Sequence, residues 1–186
     1  NLTMTLVSNG GFLPSNTLSD IISTKFQKIV LAISLIISML NFYFLFNIFS
    51  KKTIIREHKE DFYLLALASI LILFIYFNNF DGLDLIISVL SSLANSGLTL
   101  IQTENNLSLY FLFLTIIGGS LISNSSGIKL SRFYILLKIT SAEILKLTSP
   151  NSVINKTIFD SNNKITDDNV KISFLIFISF FLSLFI

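Results

Sequence analysis

Two short glycine-containing segments are the strongest candidates for chemistry in this 186-residue chain. They read SNGGF at 8–12 and ANSGL at 94–98, and each follows a short apolar stretch. Glycine permits backbone angles that turn consecutive carbonyl oxygens toward one axis, where they can replace the hydration shell of a cation. If the apolar stretch before each segment is a half-helix, its C-terminal end adds negative dipole character at the same place. The pattern predicts a backbone site for cations, present in two copies.

A third polar segment, GGSLISNSSG at 118–127, interrupts an apolar stretch that runs from 107 to 140. Its glycines lower helix propensity, and its serine and asparagine side chains offer hydrogen bonds that compete with a helix. Non-helical backbone at membrane depth is tolerated only inside protein or beside a water-filled cavity. We therefore predict a break that can rearrange at modest cost while its polar groups face water.

The composition indicates that these segments lie in a bilayer. Hydrophobic residues make up 52% of the chain, charged residues only 13%, and the mean hydropathy is +0.76, which is too apolar for a soluble domain of this length. The net charge of +2 does not suggest a nucleic-acid surface, and the absence of cysteine excludes disulfides and thiolate metal sites. Because the chain begins with Asn and lacks a signal-peptide pattern, we interpret it as a fragment cut at both ends.

The lengths of the apolar runs predict how the chain is arranged in the membrane. The runs at 29–50 and 62–77 are predicted to be transmembrane helices, and the run from 172 to the end a truncated crossing. The run at 84–93 is too short to cross and predicts a re-entrant half-helix with Asp84 as its N-cap. The predicted fold class is an all-α polytopic membrane protein of repeated span, pore-helix, span units with re-entrant filter loops.

Basic residues give the orientation, because cytoplasmic loops carry an excess of lysine and arginine. Most of them lie in the loop after the first span or after the glycine-serine break, so both regions are predicted to be cytoplasmic. They are Lys51, Lys52, Arg56 and Lys59, followed by Lys129, Arg132, Lys138, Lys146, Lys156, Lys164 and Lys171. The connections that carry Asp81, Asp84 and Glu104 are then outside.

The remaining polar residues receive structural interpretations. His58 is predicted to be a solvated loop residue, and Asn41 to make an interhelical hydrogen bond inside the first span. Glu57, Glu60 and Asp61 are predicted to form a solvated face balanced by the basic residues around them. These assignments leave no acid, base, nucleophile or metal ligand at membrane depth, so we do not expect an enzyme.

The segments SNGGF, ANSGL and GGSLISNSSGIKLSR, with LTSPNSV further on, resemble the TrkH-like membrane subunit of the Trk/Ktr/HKT potassium uptake superfamily. The stretch from Gly118 to Arg132 is the most specific, since its spacing resembles the family pattern GG-x-x-x-S-T-x-G-G-[IL]-K-x-x-R. The resemblance implies four span, pore-helix, span repeats around one pore. Residues 1–61 would hold the end of the repeat-two pore loop, its second span and a cytoplasmic loop. Residues 62–140 would form repeat three with a broken second span, and 141–186 a cytoplasmic linker and the first span of repeat four.

The resemblance also implies roles for individual residues. The implied filter backbone, centred on the two glycines that match the family's filter positions, comprises Ser8, Asn9, Gly10, Gly11, Ala94, Asn95, Ser96 and Gly97. The implied intramembrane gate comprises Gly118, Gly119, Ser120, Ser123, Asn124, Ser125, Ser126 and Gly127, with Lys129 and Arg132 as a basic pair at its cytoplasmic end. Asn9, Asn95, Ser96 and Leu98 depart from the family's usual filter residues. Asn124 and Ser126 depart from its usual gate residues and predict a stiffer gate.

The implied function is potassium uptake across the plasma membrane, the inner membrane of a bacterium, by a multi-pass protein. Potassium is its substrate, and no bound cofactor is expected. The implied partners are membrane lipid, a second copy in a homodimer and a cytoplasmic nucleotide-binding regulator of the TrkA or KtrA type, with no nucleic acid. Two alternatives stay open. One is a sodium-permeable or weakly selective monovalent cation transporter of the same fold, and the other is a structural membrane protein without transport activity.

Overall fold

The computed structural model describes residues 2–13, 18–50, 58–76, 82–100, 105–149, 157–159 and 164–185. In these ranges the chain is almost entirely helical, which confirms the predicted all-α class. The helices are α1 Leu2–Ser8, α2 Lys25–Met39, α3 Phe42–Phe49, α4 Lys59–Tyr76, α5 Gly82–Ala94, α6 Asn105–Ile117, α7 Leu130–Thr148 and α8 Asp167–Phe185. A 3₁₀ turn spans Leu18–Asp20, and Thr157 and Lys164 form an isolated antiparallel bridge.

Helix α5 lies at the centre of the molecule and is the predicted half-helix. It packs against α2, α4 and α6, and the side chains from 87 to 94 are all buried. Its 13 residues extend about 20 Å, whereas a hydrocarbon core is about 30 Å thick. A short helix surrounded by protein can therefore end inside the molecule, as the run at 84–93 predicts.

Asp84 does not have its predicted role as the N-cap of this helix. The helix begins at Gly82, so Asp84 lies within its first turn. Its carboxylate Oδ1 instead lies 2.5 Å from the Lys28 ammonium of α2. An acidic residue in the first turn still complements the positive end of the helix dipole.

The predicted continuous helix at 29–50 is wrong, because the chain breaks between α2 and α3 and the two helices are bent by 110°. Leu40 and Asn41 are extended, with ψ angles of 159° and 127°. The Asn41 side chain accepts a hydrogen bond of 2.8 Å from the Tyr43 N–H and so caps α3. Asn41 is thus a capping residue at a break rather than an interhelical contact inside a continuous span.

The break is stabilised by a distant part of the chain. The Met39 carbonyl accepts a 3.0 Å hydrogen bond from the Ser120 N–H, and the Phe42 N–H donates one of 2.9 Å to the Ile122 carbonyl. Both partners belong to the polar segment at 118–127. The apolar run at 29–50 gives no sign of this break, because these two partners lie about 80 residues away in sequence.

The outer surfaces of the helices carry many large apolar side chains, as expected of a protein in a bilayer. Exposed examples are Ile33 on α2, Phe46 on α3, Ile70 and Leu73 on α4, and Leu175 and Leu182 on α8. Among the described residues, only the bent pair of α2 and α3 is together long and apolar enough for a crossing, and no helix meets that condition alone. The runs predicted at 62–77 and from 172 are present as α4 and α8.

Candidate functional site

The two predicted filter segments have the same backbone conformation. Asn9 and Asn95 both have positive φ angles, of 51° and 57°. Two residues further on, Gly11 and Gly97 have φ angles of 67° and 69°. Because L side chains rarely adopt this region, glycine is favoured at both positions. The repeat that the sequence predicts from SNGGF and ANSGL is therefore also a repeat of backbone geometry.

Each segment makes a backbone hydrogen bond to the helix before it at the same spacing, and the second segment makes another from the Asn95 N–H to the Ser92 carbonyl. The Gly10 N–H donates to the Thr5 carbonyl at 3.2 Å, and the Ser96 N–H donates to the Ser91 carbonyl at 3.0 Å. Thr5 and Ser91 each lie six residues before the glycine with positive φ. The end of α1 and the end of α5 therefore turn into their segments in the same way.

The hydroxyl groups of Thr5 and Ser91 add a second tie, which the sequence analysis missed. Thr5 Oγ1 donates to the Phe12 carbonyl at 2.6 Å. Ser91 Oγ accepts from the Leu98 N–H at 2.8 Å and lies 2.9 Å from the Ser96 hydroxyl. The sequence does contain a signal for these hydrogen bonds, because a residue with a hydroxyl group lies six positions before both Gly11 and Gly97. Both side chains hold the segment from the helix side.

The two segments also approach each other closely. A Cβ atom placed on Gly11 would lie 3.1 Å from the Ser96 carbonyl oxygen, and one placed on Gly97 would lie 3.9 Å from the Gly11 Cα. Within the described residues, no hydrogen bond reaches the carbonyl oxygens of 9–11 or 95–97. The buried Asn9 side chain likewise has no hydrogen-bond partner there. The arrangement offers unpaired oxygens from two chain segments at one place.

The predicted break at 118–127 is present, because α6 ends at Ile117 and α7 begins at Leu130. The intervening segment leaves and returns at the same point. The N–H groups of Ile128, Lys129 and Leu130 donate to the carbonyls of Ile116, Ile117 and Gly119 at 3.0, 2.9 and 3.2 Å. We call residues 118–128 the gate loop. Its two ends are fastened together by these three bonds.

Three glycines allow the gate loop to pack this tightly. A Cβ on Gly118 would lie 2.2 Å from the Ser126 carbonyl oxygen, and one on Gly119 would lie 2.7 Å from the Met39 carbonyl oxygen. A Cβ on Gly127 would lie 2.9 Å from a carbonyl oxygen of α6. Real Cβ atoms are essentially never found closer than 3.0 Å to such neighbours. The loop therefore cannot keep this conformation with a side chain at any of the three.

The prediction that the polar groups of this loop face water is wrong for two of its serines. Ser120 and Ser125 are buried. Ser125 Oγ accepts from the Gly119 N–H at 2.9 Å, and the Ser123 hydroxyl donates to the Ser120 carbonyl at 2.7 Å. The hydroxyls of Ser123 and Ser125 also lie 2.8 Å apart. The loop satisfies much of its own hydrogen bonding and so holds a defined shape.

Lys129 and Asn124 extend these interactions. The Lys129 ammonium turns back over the loop and donates to the carbonyls of Ser123 and Ser125 and to both hydroxyls. Asn124 Nδ2 donates to the Val7 carbonyl at the end of α1. The gate loop is thus in contact with the helix that leads into the first filter segment. Arg132, the other member of the predicted basic pair, is half-buried on α7.

Glu60 and Asp61 are not the solvated face that the charge pattern predicts. Asp61 is 1% exposed, and its Oδ1 accepts a 2.9 Å hydrogen bond from the Asn41 N–H at the break between α2 and α3. Glu60 Oε1 accepts from the Leu121 N–H at 2.9 Å and from the Ser131 N–H at 3.3 Å. Their predicted neighbours Lys51, Lys52, Arg56 and Glu57 lie outside the described residues.

His58 is buried as well, so its prediction as a solvated residue is wrong. Its side chain is 6% exposed, and its ring lies 5.2 Å from the Phe44 ring, centroid to centroid. Its Nε2 lies 2.9 Å from Asn47 Nδ2 and its Nδ1 lies 3.8 Å from Asp61 Oδ2. A lone histidine beside an acidic pair gave no local sign of these partners, since α3 supplies two of them.

Burial changes the acidity of the carboxyl pair, which precedes the apolar run at 62–77. Burial, and secondly the nearby charge of Asp61, raise the pKa of Glu60 from 4.5 to about 7, although hydrogen bonds from Leu121 and Ser131 act in the opposite direction. Burial likewise raises the pKa of Asp61 above its ordinary value. Glu60 can therefore change charge near neutral pH.

A cavity of about 410 Å³ lies beside this pair, between the start of α4, α7 and α8. Its charged lining residues are Lys59, Glu60 and Arg132, and Phe159 contributes an apolar wall. In the part of the chain that the structure describes, no group of three His, Asp or Glu side chains is placed to hold a metal ion.

No family model matches this chain. Over 190 aligned residues the chain is 30% identical to an uncharacterized cation transporter of Methanocaldococcus jannaschii, with 98% of this chain and 40% of that protein covered. The crystal structure of the potassium transporter TrkH from Vibrio parahaemolyticus superposes with a TM-score of 0.80 at 17% identity, covering 96% of this chain and 41% of that one. The chain thus spans about two fifths of each relative's length.

Proposed function

We propose that this chain, which has the fold of a TrkH-type transporter, forms part of a potassium pathway across the membrane. The resemblance to TrkH-like subunits that the sequence predicts is confirmed by that fold, and the relative from Methanocaldococcus jannaschii is named a cation transporter. The observation that carries the proposal is the pair of filter segments. They repeat one backbone conformation, approach each other and, among the described residues, leave the carbonyl oxygens of 9–11 and 95–97 without hydrogen bonds.

In the proposed mechanism, these oxygens take the place of water around a partly dehydrated potassium ion. The ties from Thr5 and Ser91 hold each segment from the side of its helix, so the carbonyl groups need not reorganise when an ion arrives. Each filter segment would supply part of the ring of ligands, and the remaining segments of a four-repeat protein would supply the rest. Retention of glycine at 11 and 97 favours potassium over sodium within this proposal.

The gate loop supplies the second part of the mechanism. It contacts the end of α1 through Asn124 and the break after α2 through Ser120, so it lies next to the first filter segment. In the closed state the loop would block the path beyond the filter, and in the open state it would withdraw as a unit. Its role would be to control flow, while the filter would choose the ion.

The setting and partners complete the proposal. The chain would work in the plasma membrane of its cell as part of a homodimer, surrounded by membrane lipid. A cytoplasmic nucleotide-binding subunit of the TrkA or KtrA type would shift the balance between closed and open loop. The basic residues Lys129 and Arg132, placed after the loop, lie at the end where such a regulator would act.

The test is a flux measurement on the full-length protein in proteoliposomes, with Gly97→Ser as the variant. Gly97 has a φ of 69°, so a side chain there strains the backbone at the proposed ion site, and we expect loss of most of the preference for potassium over sodium. Gly82→Ser is the matched control, because a Cβ at Gly82 would meet only the Tyr76 ring, at 3.6 Å. An unchanged permeability ratio in folded Gly97→Ser protein would overturn the proposed filter.

A further inference from the structure

We infer that Glu60 and Asp61 are positioning residues of the gate, which hold the gate loop against the break between α2 and α3. The inference rests on the proposed gating role of the loop and adds residues from a third segment to it. Neither carboxylate lies in the loop. Within the described residues, neither forms a hydrogen bond with a filter segment. They act on the loop through hydrogen bonds to its backbone.

Glu60 fastens the two ends of the loop to α4. A single oxygen, Oε1, accepts from the Leu121 N–H near the start of the loop and from the Ser131 N–H just after its return. A loop that withdraws must part at least one of these bonds. Glu60 therefore resists the movement that opening requires.

Asp61 fastens the surface on which the loop rests. Its Oδ1 accepts from the Asn41 N–H, while the residues on either side of the break, Met39 and Phe42, exchange backbone hydrogen bonds with the loop at 3.0 and 2.9 Å. The break and the loop are therefore in direct contact. Glu60 holds the loop side of this contact, and Asp61 holds the break side.

A simpler role, stabilisation of the N-terminus of α4, does not account for the geometry. Acidic residues in the first turn of a helix usually act through its dipole or its own free N–H groups. Here, within the described ranges, the carboxylates accept backbone hydrogen bonds from other segments, at Asn41, Leu121 and Ser131.

The charge of Glu60 then couples the loop to pH. The charged groups near it are Asp61 beside it, Lys59 on its own helix, Arg132 across the cavity and Lys129 after the gate loop, while α8 lines the cavity with the uncharged Asn169, Ile172 and Ser173. His58 faces Asp61 from the other side.

The direction of the pH effect follows from linkage. Glu60 has a pKa of about 7 when the loop covers it, and withdrawal of the loop into water would return the pKa toward 4.5. The closed state thus binds the proton more tightly, so low pH favours closure and the open fraction rises with pH between these values. The rise is at most about tenfold per pH unit, because one proton is released, and it levels off above pH 7.

The experiment measures basal potassium flux of the full-length protein in proteoliposomes from pH 5 to pH 8. Glu60→Ala removes the acceptor, and we expect a several-fold higher basal flux at every pH with an unchanged potassium-to-sodium ratio. Glu60→Gln keeps an acceptor oxygen without a charge, and we expect low basal flux that no longer rises with pH. Glu143→Gln is the matched control, because Glu143 is exposed on α7 and pairs with Lys146; its flux should follow the wild type.

Wild-type basal flux in Glu60→Ala together with a wild-type pH profile in Glu60→Gln would overturn the inference. If Glu60→Ala fails to fold, the pH profile of Glu60→Gln decides alone, since its loss is not expected from a purely structural residue. A deletion of 120–126 separates the gating role of the loop from the positioning role of the two carboxylates. If the deletion raises basal flux but both Glu60 variants behave like the wild type, the loop is a gate and the carboxylates do not position it. Unchanged basal flux in the deletion would contradict the proposed gating role of the loop.

Discussion

The filter segments and the gate loop are both glycine-centred interruptions of a helix, yet they differ in what their carbonyl groups do. In the filter segments, hydrogen bonds come from the helix side, and no described residue donates to the carbonyl oxygens of 9–11 and 95–97. At the gate loop, the carbonyls of Ile116 and Ile117 just before it and of Gly119 and Ser120 within it accept hydrogen bonds from the N–H groups of 128–130 and from the Ser123 hydroxyl. A glycine with positive φ therefore does not define a filter. Unpaired oxygens suit a segment that waits for an ion, and paired oxygens suit one that must hold its shape without one.

The largest effect should come from Gly118→Ala, which tests the loop side of this comparison. The new Cβ would lie 2.2 Å from the Ser126 carbonyl oxygen at a φ of 69°, so the closed conformation is lost. Overpacking costs about 1–3 kcal/mol, which corresponds to about fivefold to more than a hundredfold more open loop. Basal flux should rise accordingly while the potassium-to-sodium ratio stays constant. Gly82→Ala is the control. A change of ion preference without a change of basal flux would show that Gly118 acts on the filter and not on the gate.

The next effect concerns the ties behind the filter, where Ser91→Ala should exceed Thr5→Val. Ser91→Ala leaves the fully buried Leu98 N–H without a partner, at a cost of about 1–3 kcal/mol. Thr5→Val removes a donor to the carbonyl of Phe12, a residue that is 80% exposed and within reach of water. We expect a lower melting temperature and weaker potassium preference in Ser91→Ala than in Thr5→Val. Equal losses would mean that the two hydroxyls do not act as separate ties.

Gly11→Ala and Gly10→Ser should differ although the two glycines are adjacent. Gly11 has a φ of 67°, and a side chain in this region costs about 1–2 kcal/mol, so ion preference should fall. Gly10 lacks a positive φ, and its counterpart in the second segment is already a serine, Ser96. Flux ratios for the two variants, measured side by side, check this. A larger loss in Gly10→Ser would contradict the repeat of backbone geometry.

The smallest effect should come from Asp84→Asn, outside both regions. Its pair with Lys28 is partly exposed, and such pairs contribute about 0–1 kcal/mol. We expect a small decrease in melting temperature, with basal flux and ion preference both at wild-type values. A clear loss of ion preference would show that the start of α5 influences the filter at its other end.

The parts of this structure that could be predicted are those with a local signal. The short run at 84–93 predicted a short helix, which is present as α5 at Gly82–Ala94, and the glycines at 11, 97 and 118 marked the three interruptions. The break at Leu40 and Asn41 had no such signal, because the surrounding run is apolar and the groups that stabilise it come from Asp61 and Ser120. Tertiary hydrogen bonds of this kind leave no periodic trace in a sequence.

The polar residues show the same limit more sharply. Charge pattern alone placed His58, Glu60 and Asp61 in water, since a cluster of mixed charges after a span is usually a solvated loop. Their burial depends on α3 and the gate loop folding over them. The gate serines were predicted to face water for a similar reason, because residue type does not reveal that Ser123 and Ser125 satisfy each other.

The division of roles between the gate loop and the filter segments is tested most directly by removing residues 120–126 from the full-length protein. Basal flux and the potassium-to-sodium ratio are then measured on the same proteoliposomes, with and without the cytoplasmic regulator. The account predicts raised basal flux, weakened control by the regulator and an unchanged ratio, because the loop controls flow and the filter segments choose the ion. Normal basal flux with normal regulation in a properly folded deletion, or a collapse of ion preference, would contradict that division of roles.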